Sequence, residues 1–146
     1  MDFSRLYSNV EKTIENLENI ALESAMEVKE TIADLQVEQM EEGKTEKGKP
    51  IRPKYQSNVY ATAKKAIGAK PPKGTPDLKL TGDFHSGIYA TIEKNYIVTD
   101  STDEKAGKLT EKYPDIWGLM KKKQAELNKE IEPKFIKRLR NEILSS

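Results

Sequence analysis

Apolar side chains recur every three or four residues through the first forty positions, and glutamates occupy many of the positions between them. The stripe consists of Leu6, Val10, Ile14, Leu17, Ala21, Ala25, Val28, Ile32 and Leu35. Residues at this spacing share one face of a helix, and no proline or glycine interrupts the run before Gly43. The pattern predicts one long amphipathic helix over residues 1–42. Such a helix is longer than a small domain is wide, so we expect part of it to contact another subunit.

Residues 41–56 have almost no apolar side chains, but they include two glycines and two prolines. This composition predicts an exposed basic loop or hairpin. Its basic residues are candidates for a partner or oligomer interface: Lys44, Lys47, Lys49, Arg52 and Lys54. Ser57 is then placed to cap a short helix that Gly68 would close. The apolar face of that helix consists of Tyr60, Ala63 and Ile67.

Alternation of apolar and polar side chains is confined to residues 77–100. Ile88, Ala90 and Ile92 alternate with polar residues, and so do Tyr96 and Val98. The Lys94–Asn95 pair between them suits a tight turn, so we predict an antiparallel hairpin near 88–100. Residues 101–104 have the spacing of a capping box, which predicts a short helix ending near residue 113.

The C-terminal residues are helical again, because apolar residues lie four apart at Leu127, Ile131, Phe135, Leu139 and Ile143. Pro133 lies inside this pattern and predicts a kink or a break. The fold class is therefore α+β, with a small antiparallel sheet and a predominance of helix. We expect one domain over 1–146, in which an α+β core at 57–118 follows the basic loop and a helical tail occupies 119–146.

Composition indicates a thin core, since 36% of the residues are hydrophobic and 34% are charged, against about 45–50% and about 25% in ordinary domains. The chain has no cysteine and a single histidine, His85. These counts exclude disulfides, cysteine-based zinc sites, thiol nucleophiles and any site that needs two histidines from one chain. We see neither a signal peptide nor a membrane span, and we expect synthesis in a cytoplasm.

Charge is strongly segregated although the net charge is only +1. Residues 1–42 carry −8, residues 43–74 carry +8, residues 75–118 carry −3 and residues 119–146 carry +4. Acidic and basic segments in one chain suggest surfaces that dock on one another or on neighbouring copies. The alternative is that these segments are merely solvated helix faces.

Few residues are candidates for chemistry. Asp100, Asp103 and Glu104 could bind a divalent cation, but acidic residues are also typical of the start of a helix. His85 could act as a base beside Asp83 and Ser86, but sequence neighbours rarely converge as a catalytic triad. No glycine-rich phosphate-binding loop is present. We therefore assign no catalytic residue, metal ligand or cofactor, and we expect the chain not to be an enzyme.

A motif of the form Leu-x-x-Thr-Gly-x-Phe-x-x-Gly-Ile occupies residues 78–88. Its defined positions are Leu78, Thr81, Gly82, Phe84, Gly87 and Ile88, and a turn with the only tryptophan, Trp117, and Gly118 follows later. Thr81 can cap a turn, Gly82 permits a positive φ angle, and the two large apolar residues face the core. The motif, which includes Leu80, is similar to the LTGxLxxSI element of tail-completion proteins of long-tailed phages. The resemblance spans roughly residues 5–120.

This resemblance implies a non-enzymatic virion protein at the head-to-tail joint: a tail-completion, neck or connector protein. It implies a homo-oligomeric ring around the DNA channel, with portal, connector or tail proteins as partners and the virion as the location. Lys121, Lys122 and Lys123 join the loop lysines as candidate interface residues. The alternative is a small adaptor or a non-specific nucleic-acid-binding protein that uses the basic segments 44–73 and 121–140, with Tyr55 and Tyr60 as stacking surfaces.

Overall fold

The N-terminal apolar stripe forms three consecutive helices in the computed structural model, which describes residues 3–79 and 81–145. Helix α1 spans Phe3–Glu15, α2 spans Leu17–Met26 and α3 spans Lys29–Glu41. The prediction of helix is confirmed for this region, but the prediction of one uninterrupted helix is wrong. The first two residues of the predicted helix lie outside the described residues.

Two buried hydroxyl groups explain the interruptions at Asn16 and Val28. Thr13 Oγ1 donates to the carbonyl of Asn9 at 2.8 Å, and Ser24 Oγ donates to the carbonyl of Ile20 at 2.7 Å. A hydroxyl that binds the carbonyl four residues earlier competes with helical hydrogen bonding and bends helices. Each interruption follows such a hydroxyl by three or four residues. The apolar stripe gives no sign of this effect.

The C-terminal helix packs antiparallel along all three N-terminal helices. This helix, α7, spans Lys121–Ile143, so the predicted break at Pro133 is wrong. Pro133 is exposed, and α7 is held on both sides of it by side-chain contacts with the N-terminal helices. Thr31 donates to Glu130 at 2.8 Å, and Arg138 binds Glu23 at 2.9 Å. Helix α7 therefore covers part of the apolar face that we expected another subunit to contact, and the remaining part stays exposed.

The predicted hairpin is confirmed and packs against α3. Strand β1 spans Ile88–Glu93 and pairs antiparallel with β2, Tyr96–Ser101, so that Ile88 faces Ser101 and Glu93 faces Tyr96. Lys94 begins the two-residue turn with a φ of 55°. The side of β1 that carries Ile88 and Ala90 is buried. The α+β class is thus confirmed.

Three short helices complete the core. They are α4 (Asn58–Ala66), α5 (Asp83–Ser86) and α6 (Ala106–Lys112). The predicted cap of α4 is confirmed, because Ser57 Oγ accepts from the amide of Tyr60 at 3.1 Å. The predicted face of α4 is wrong: Ile67 is exposed and Lys64 is buried, because Lys64 has a buried acidic partner.

Two hydrophobic clusters lie on opposite sides of α3. The larger one is built from Met40, Ile51, Leu78, Phe84, Ile88, Ala106, Tyr113 and Ile116. The smaller one joins α3 to β1 and α7 through Ile32, Leu35, Ala90 and Leu127. Within the part of the chain that the structure describes, no helix has both the length and the apolar character of a membrane span.

Two fully buried glutamines of α3 hold the segment that leads into α7. Gln36 Nε2 donates to the carbonyl of Ile116 at 3.0 Å, and its Oε1 accepts from the amide of Gly118 and the hydroxyl of Thr99, both at 2.9 Å. Gln39 donates to the carbonyl of Gly118 at 2.8 Å and accepts from the amide of Met120 at 2.7 Å. Both side-chain amides are therefore bonded to partners 63 to 82 residues away in sequence.

Replacing Gln36 with leucine keeps the approximate size of the side chain but removes three hydrogen bonds, one of them buried and two partly buried. We expect Gln36→Leu to lower the free energy of unfolding by roughly 2–4 kcal/mol. The matched control is Gln124→Leu, because exposed Gln124 makes one bond to the carbonyl of Leu119 in the same segment. The control should lose less than about 1 kcal/mol. Urea denaturation of both variants checks this, and equal losses would contradict the role given to Gln36.

Candidate functional site

The motif at 78–88 forms a turn that enters the larger hydrophobic cluster. Gly82 has a φ of 92° and precedes α5, in agreement with the expectation for this glycine. Thr81 Oγ1 accepts from the amide of Asp83 at 3.4 Å, a weak cap. Leu78, Phe84 and Ile88 are buried together. Leu80 lies outside the described residues.

Further contacts of the motif fix it to the hairpin and to the turn at 117. Ser101 Oγ donates to the carbonyl of Phe84 at 2.8 Å. A Cβ on Gly87 would lie 2.7 Å from Thr102 Oγ1 and 2.8 Å from Ser101 Oγ, so a larger residue would have to displace both hydroxyls. The rings of Phe84 and Trp117 are 5.7 Å apart. These motif residues have structural roles, and the groups that could bind another molecule lie on the surfaces around the motif.

The basic loop is a short hairpin fastened at its base. Lys44 and Pro50 form an isolated antiparallel bridge, and the amide of Thr45 donates to the carbonyl of Lys49 at 2.8 Å. The amide of Glu46 donates to the carbonyl of Asp115 at 3.1 Å, and Ile51 is fully buried. Of the two predicted forms, loop or hairpin, the structure has the hairpin. The sequence did not identify Ile51 as the residue that fixes this hairpin to the core, because Ile51 is the only aliphatic residue among lysines and prolines.

The basic side chains of this loop face outward. Lys47, Lys49, Arg52 and Lys54 are exposed and Lys44 is half-buried. None of the five makes an ion pair with any residue in 3–79 or 81–145. Their positive charge is therefore available to a partner.

Two open grooves adjoin the loop, and buried Tyr113 is part of the lining of both. The basic groove has a volume of about 430 Å³ and is lined by Lys47, Lys49, Arg52, Tyr113, Asp115 and Ile116 among others. The tyrosine groove has a volume of about 340 Å³ and is lined mainly by Tyr55, Tyr60, Leu78, Leu109, Lys112 and Tyr113. The rings of Tyr55 and Tyr60 meet edge to face with centroids 4.8 Å apart. The two grooves together offer apolar surface beside unpaired cations.

The three tail lysines do not share one environment. Lys121 and Lys122 are exposed. Lys123 is buried, and its Nζ lies 3.1 Å from both Glu38 Oε2 and Glu42 Oε1. Burial by itself would lower the pKa of Lys123, but the hydrogen bonds and charges of the two glutamates outweigh it and the pKa is raised. Lys123 therefore ties α7 to α3 and cannot serve as an exposed interface residue.

A buried ion pair between α4 and the segment before the motif was not anticipated. Lys64 Nζ lies 2.7 Å from Asp77 Oδ1 and donates to the carbonyl of Lys79 at 2.5 Å. Tyr55 Oη lies 3.5 Å from the same carboxylate. Burial, and then the charge of Asp77, raises the pKa of Tyr55. The sequence signal was weak, because lysine on a short helix usually reads as exposed.

His85 is buried beside this pair. Among the described residues, neither of its ring nitrogens has a hydrogen-bond partner, and Nδ1 lies 3.8 Å from Glu41 Oε1. Burial lowers the pKa of His85, although the charges of Glu41 and Asp77 oppose that shift. The hydroxyl of Ser86 donates to the carbonyl of Asp83 at 3.2 Å. The structure therefore does not bring His85, Asp83 and Ser86 together as a base and a nucleophile.

The acidic residues at 100–104 cap the backbone locally. Asp100 Oδ1 accepts from the amide of Ser101 at 2.8 Å, and Asp103 Oδ1 accepts from the amide of Lys105 at 3.2 Å. In the described ranges, no group of three or more histidine, aspartate or glutamate side chains is arranged to hold a metal ion.

A group of exposed apolar side chains lies at the opposite end of the molecule, on α1 and the start of α2. Phe3 is 82% exposed, Tyr7 67%, Ile14 60% and Leu17 39%. These residues lie three, four or seven apart, so they form one stripe beside the face that α7 covers. We call these four residues the α1 stripe. Exposed apolar patches are typical of surfaces that bind a partner.

Comparisons with protein-family models, with curated proteins and with solved structures find no match to this chain.

The positive φ of Gly82 gives a test of the motif turn. A Cβ there would meet nothing within 4 Å, so Gly82→Ala should act through the backbone alone and cost about 1–2 kcal/mol of unfolding free energy. Gly107, exposed in α6 and also with open space around a Cβ, is the matched control. Gly107→Ala should gain up to about 1 kcal/mol from helix propensity. Thermal denaturation measures both, and a neutral Gly82→Ala would contradict the turn geometry.

The lowered pKa of His85 predicts a loss of stability in acid. As the pH falls below about 6.5, the unfolded chain binds a proton on this residue that the folded chain does not, so unfolding is favoured. Wild type should therefore lose more unfolding free energy between pH 7.5 and 5.5 than His85→Leu does. The difference is at most about 1.4 kcal/mol per pH unit. Urea denaturation at both pH values measures it, and an equal slope in the two proteins would refute the assignment.

Proposed function

We propose that this chain is a non-enzymatic structural protein of the head-to-tail joint of a tailed bacteriophage or prophage. In this proposal it acts as a tail-completion, neck or connector subunit, in a ring of identical copies around the DNA channel. Its neighbours are portal, connector or tail proteins. The similarity of residues 78–88 to the tail-completion element supports the proposal. So does the order of elements, with helices before the motif and an antiparallel hairpin after it.

The α1 stripe is the observation that carries the proposal. A monomer leaves its four large apolar side chains in water, whereas burying one such side chain completely is worth roughly 1.5–3 kcal/mol. A subunit that assembles recovers this free energy at an interface. The rest of the N-terminal helical region is already covered by α7, so the stripe is the part of it that remains for another molecule.

The charge arrangement also supports assembly. Basic residues of α7 neutralise part of the acidic N-terminal region, as in the pairing of Arg138 with Glu23 and Glu27. The basic loop at 44–54 has no such partner among the described residues. In the proposed ring it faces an acidic protein surface or the DNA that passes through the channel.

A second candidate is a small adaptor or a non-specific nucleic-acid-binding protein. The unpaired loop cations beside Tyr55 and Tyr60 favour it. Lys64 and Lys123 weigh against it, because both are buried in ion pairs and cannot reach phosphates. Binding of this kind would weaken steeply with salt in a titration with an oligonucleotide, because it rests on contacts with phosphates.

The proposal is tested by the mass of the purified chain, measured by light scattering after size exclusion over a series of concentrations and salt. We expect wild type to reach a discrete multiple of 16.6 kDa. The variant Tyr7→Ser with Ile14→Ser removes two side chains of the stripe, so its association should weaken more than about 100-fold.

The matched control is Val59→Ser with Ile67→Ser. These residues are 80% and 81% exposed and lie on or next to α4, away from the stripe. The control should assemble like wild type. A wild type that stays monomeric at every concentration, or a stripe variant that assembles normally, would overturn the proposal.

A further inference from the structure

The two surfaces without partners lie at opposite ends of one rigid helix. At one end of α7, Asn9 of α1 donates to the carbonyl of Ile143 at 3.1 Å. At the other end, Lys123 binds Glu38 and Glu42, directly before the basic loop. The twenty residues of α7 between these contacts span about 30 Å at 1.5 Å per residue. The α1 stripe therefore cannot reach the grooves of its own chain.

The α1 stripe has acidic residues beside its apolar residues. Alongside the apolar residues, Glu11, Glu15 and Glu18 are exposed and lie four and three apart, which places them on an adjoining side of the helix. None of these glutamates forms an ion pair with another residue in the described part of the chain. The surface is thus an apolar stripe with an acidic border.

The grooves offer the complementary pattern. The tyrosine groove provides apolar and aromatic surface through Tyr60, Leu109 and Tyr113, and the basic groove next to it carries Lys47, Lys49 and Arg52. An apolar helix with an acidic border matches an apolar groove with a basic border. Complementary charge of this kind favours correct pairing and fixes the register of two surfaces.

We propose that the α1 stripe of one copy docks across the neighbouring tyrosine and basic grooves of the next copy. The inference rests on the proposed function, in which the chain assembles with itself, and it identifies the two surfaces that meet. The apolar side chains enter the tyrosine groove, while the glutamates face the cations of the basic groove. Because the two surfaces differ, the contact is head-to-tail, and its repetition closes a ring or continues as a filament.

Symmetric pairing of two α1 helices is a less favourable alternative. It would bring the two rows of glutamates into the same interface, where like charges repel. It would also leave the cations of the loop and the apolar groove uncovered. Head-to-tail docking covers both apolar surfaces and pairs the glutamates with the loop cations in one contact.

The decisive experiment mixes two defective variants of the full chain. The first carries Tyr7→Ser and Ile14→Ser in the stripe, and the second carries Tyr60→Ala and Arg52→Glu in the grooves. Each alone should be monomeric by light scattering. Mixed in equal amounts, they should form a one-to-one pair of about twice 16.6 kDa, because one intact stripe meets one intact groove. Val59→Ala with Lys129→Glu, outside both grooves, is the control and should assemble like wild type.

Two results would overturn this docking while leaving the proposed function intact, provided that wild type assembles. One is a groove variant that still assembles alone. The other is a mixture that stays monomeric although circular dichroism shows both variants folded. A wild type that never assembles removes the proposed function and this inference together.

Charge reversal gives a second measurement that does not depend on large changes to side-chain size. Lys47→Glu with Lys49→Glu should weaken self-association at least tenfold at low salt. Mixing this variant with Glu11→Lys plus Glu15→Lys should restore association, since the reversed surfaces again carry opposite charges. Failure of the two reversed variants to associate with each other would count against the proposed contact.

Discussion

The packing of this chain depends on two buried amides that hold residues 116–120 against α3. Gln36 and Gln39 place every one of their strong hydrogen bonds on backbone groups or on Thr99, and neither is accessible to solvent. Breaking these bonds would leave buried or partly buried polar groups without partners, and this cost favours one position of the segment. That position sets where α7 begins, where Trp117 meets Phe84 and how β2 lies on α3.

The direction of α7 determines which charges remain free. Running antiparallel to α1–α3, it carries Lys123 to Glu38 and Glu42 and carries Arg138 to Glu23 and Glu27. The acidic N-terminal region is thereby neutralised along its middle and its C-terminal end. Glutamates near α1 and cations of the loop at 44–54 remain without partners among the described residues. Unpaired charges of opposite sign therefore lie at the two ends of the helix pair.

The helices and strands could be predicted because their signals are local in sequence. The buried polar residues could not, because their partners are distant in sequence. The hairpin, the Ser57 cap and the positive φ of Gly82 each follow from neighbours in sequence. The buried positions of Gln36, Lys64 and Lys123 do not, because polar residues are normally exposed and their partners lie 13 to about 85 residues away. The breaks near Asn16 and Val28 also escaped prediction, since a hydroxyl that bends a helix leaves the apolar spacing unchanged.

The motif at 78–88 indicates how a turn is built, whereas the charge pattern indicates surfaces that remain for another molecule. Gly82, Gly87 and Phe84 are committed to backbone geometry and packing, so the motif describes how the turn is built. Surfaces that remain for another molecule are indicated instead by unpaired charge and uncovered apolar area. Those surfaces lie about 30 Å apart along a helix that cannot fold back on itself. Within one chain these two surfaces cannot cover each other, and the proposed assembly is the arrangement in which each is covered by the opposite surface of a neighbouring copy.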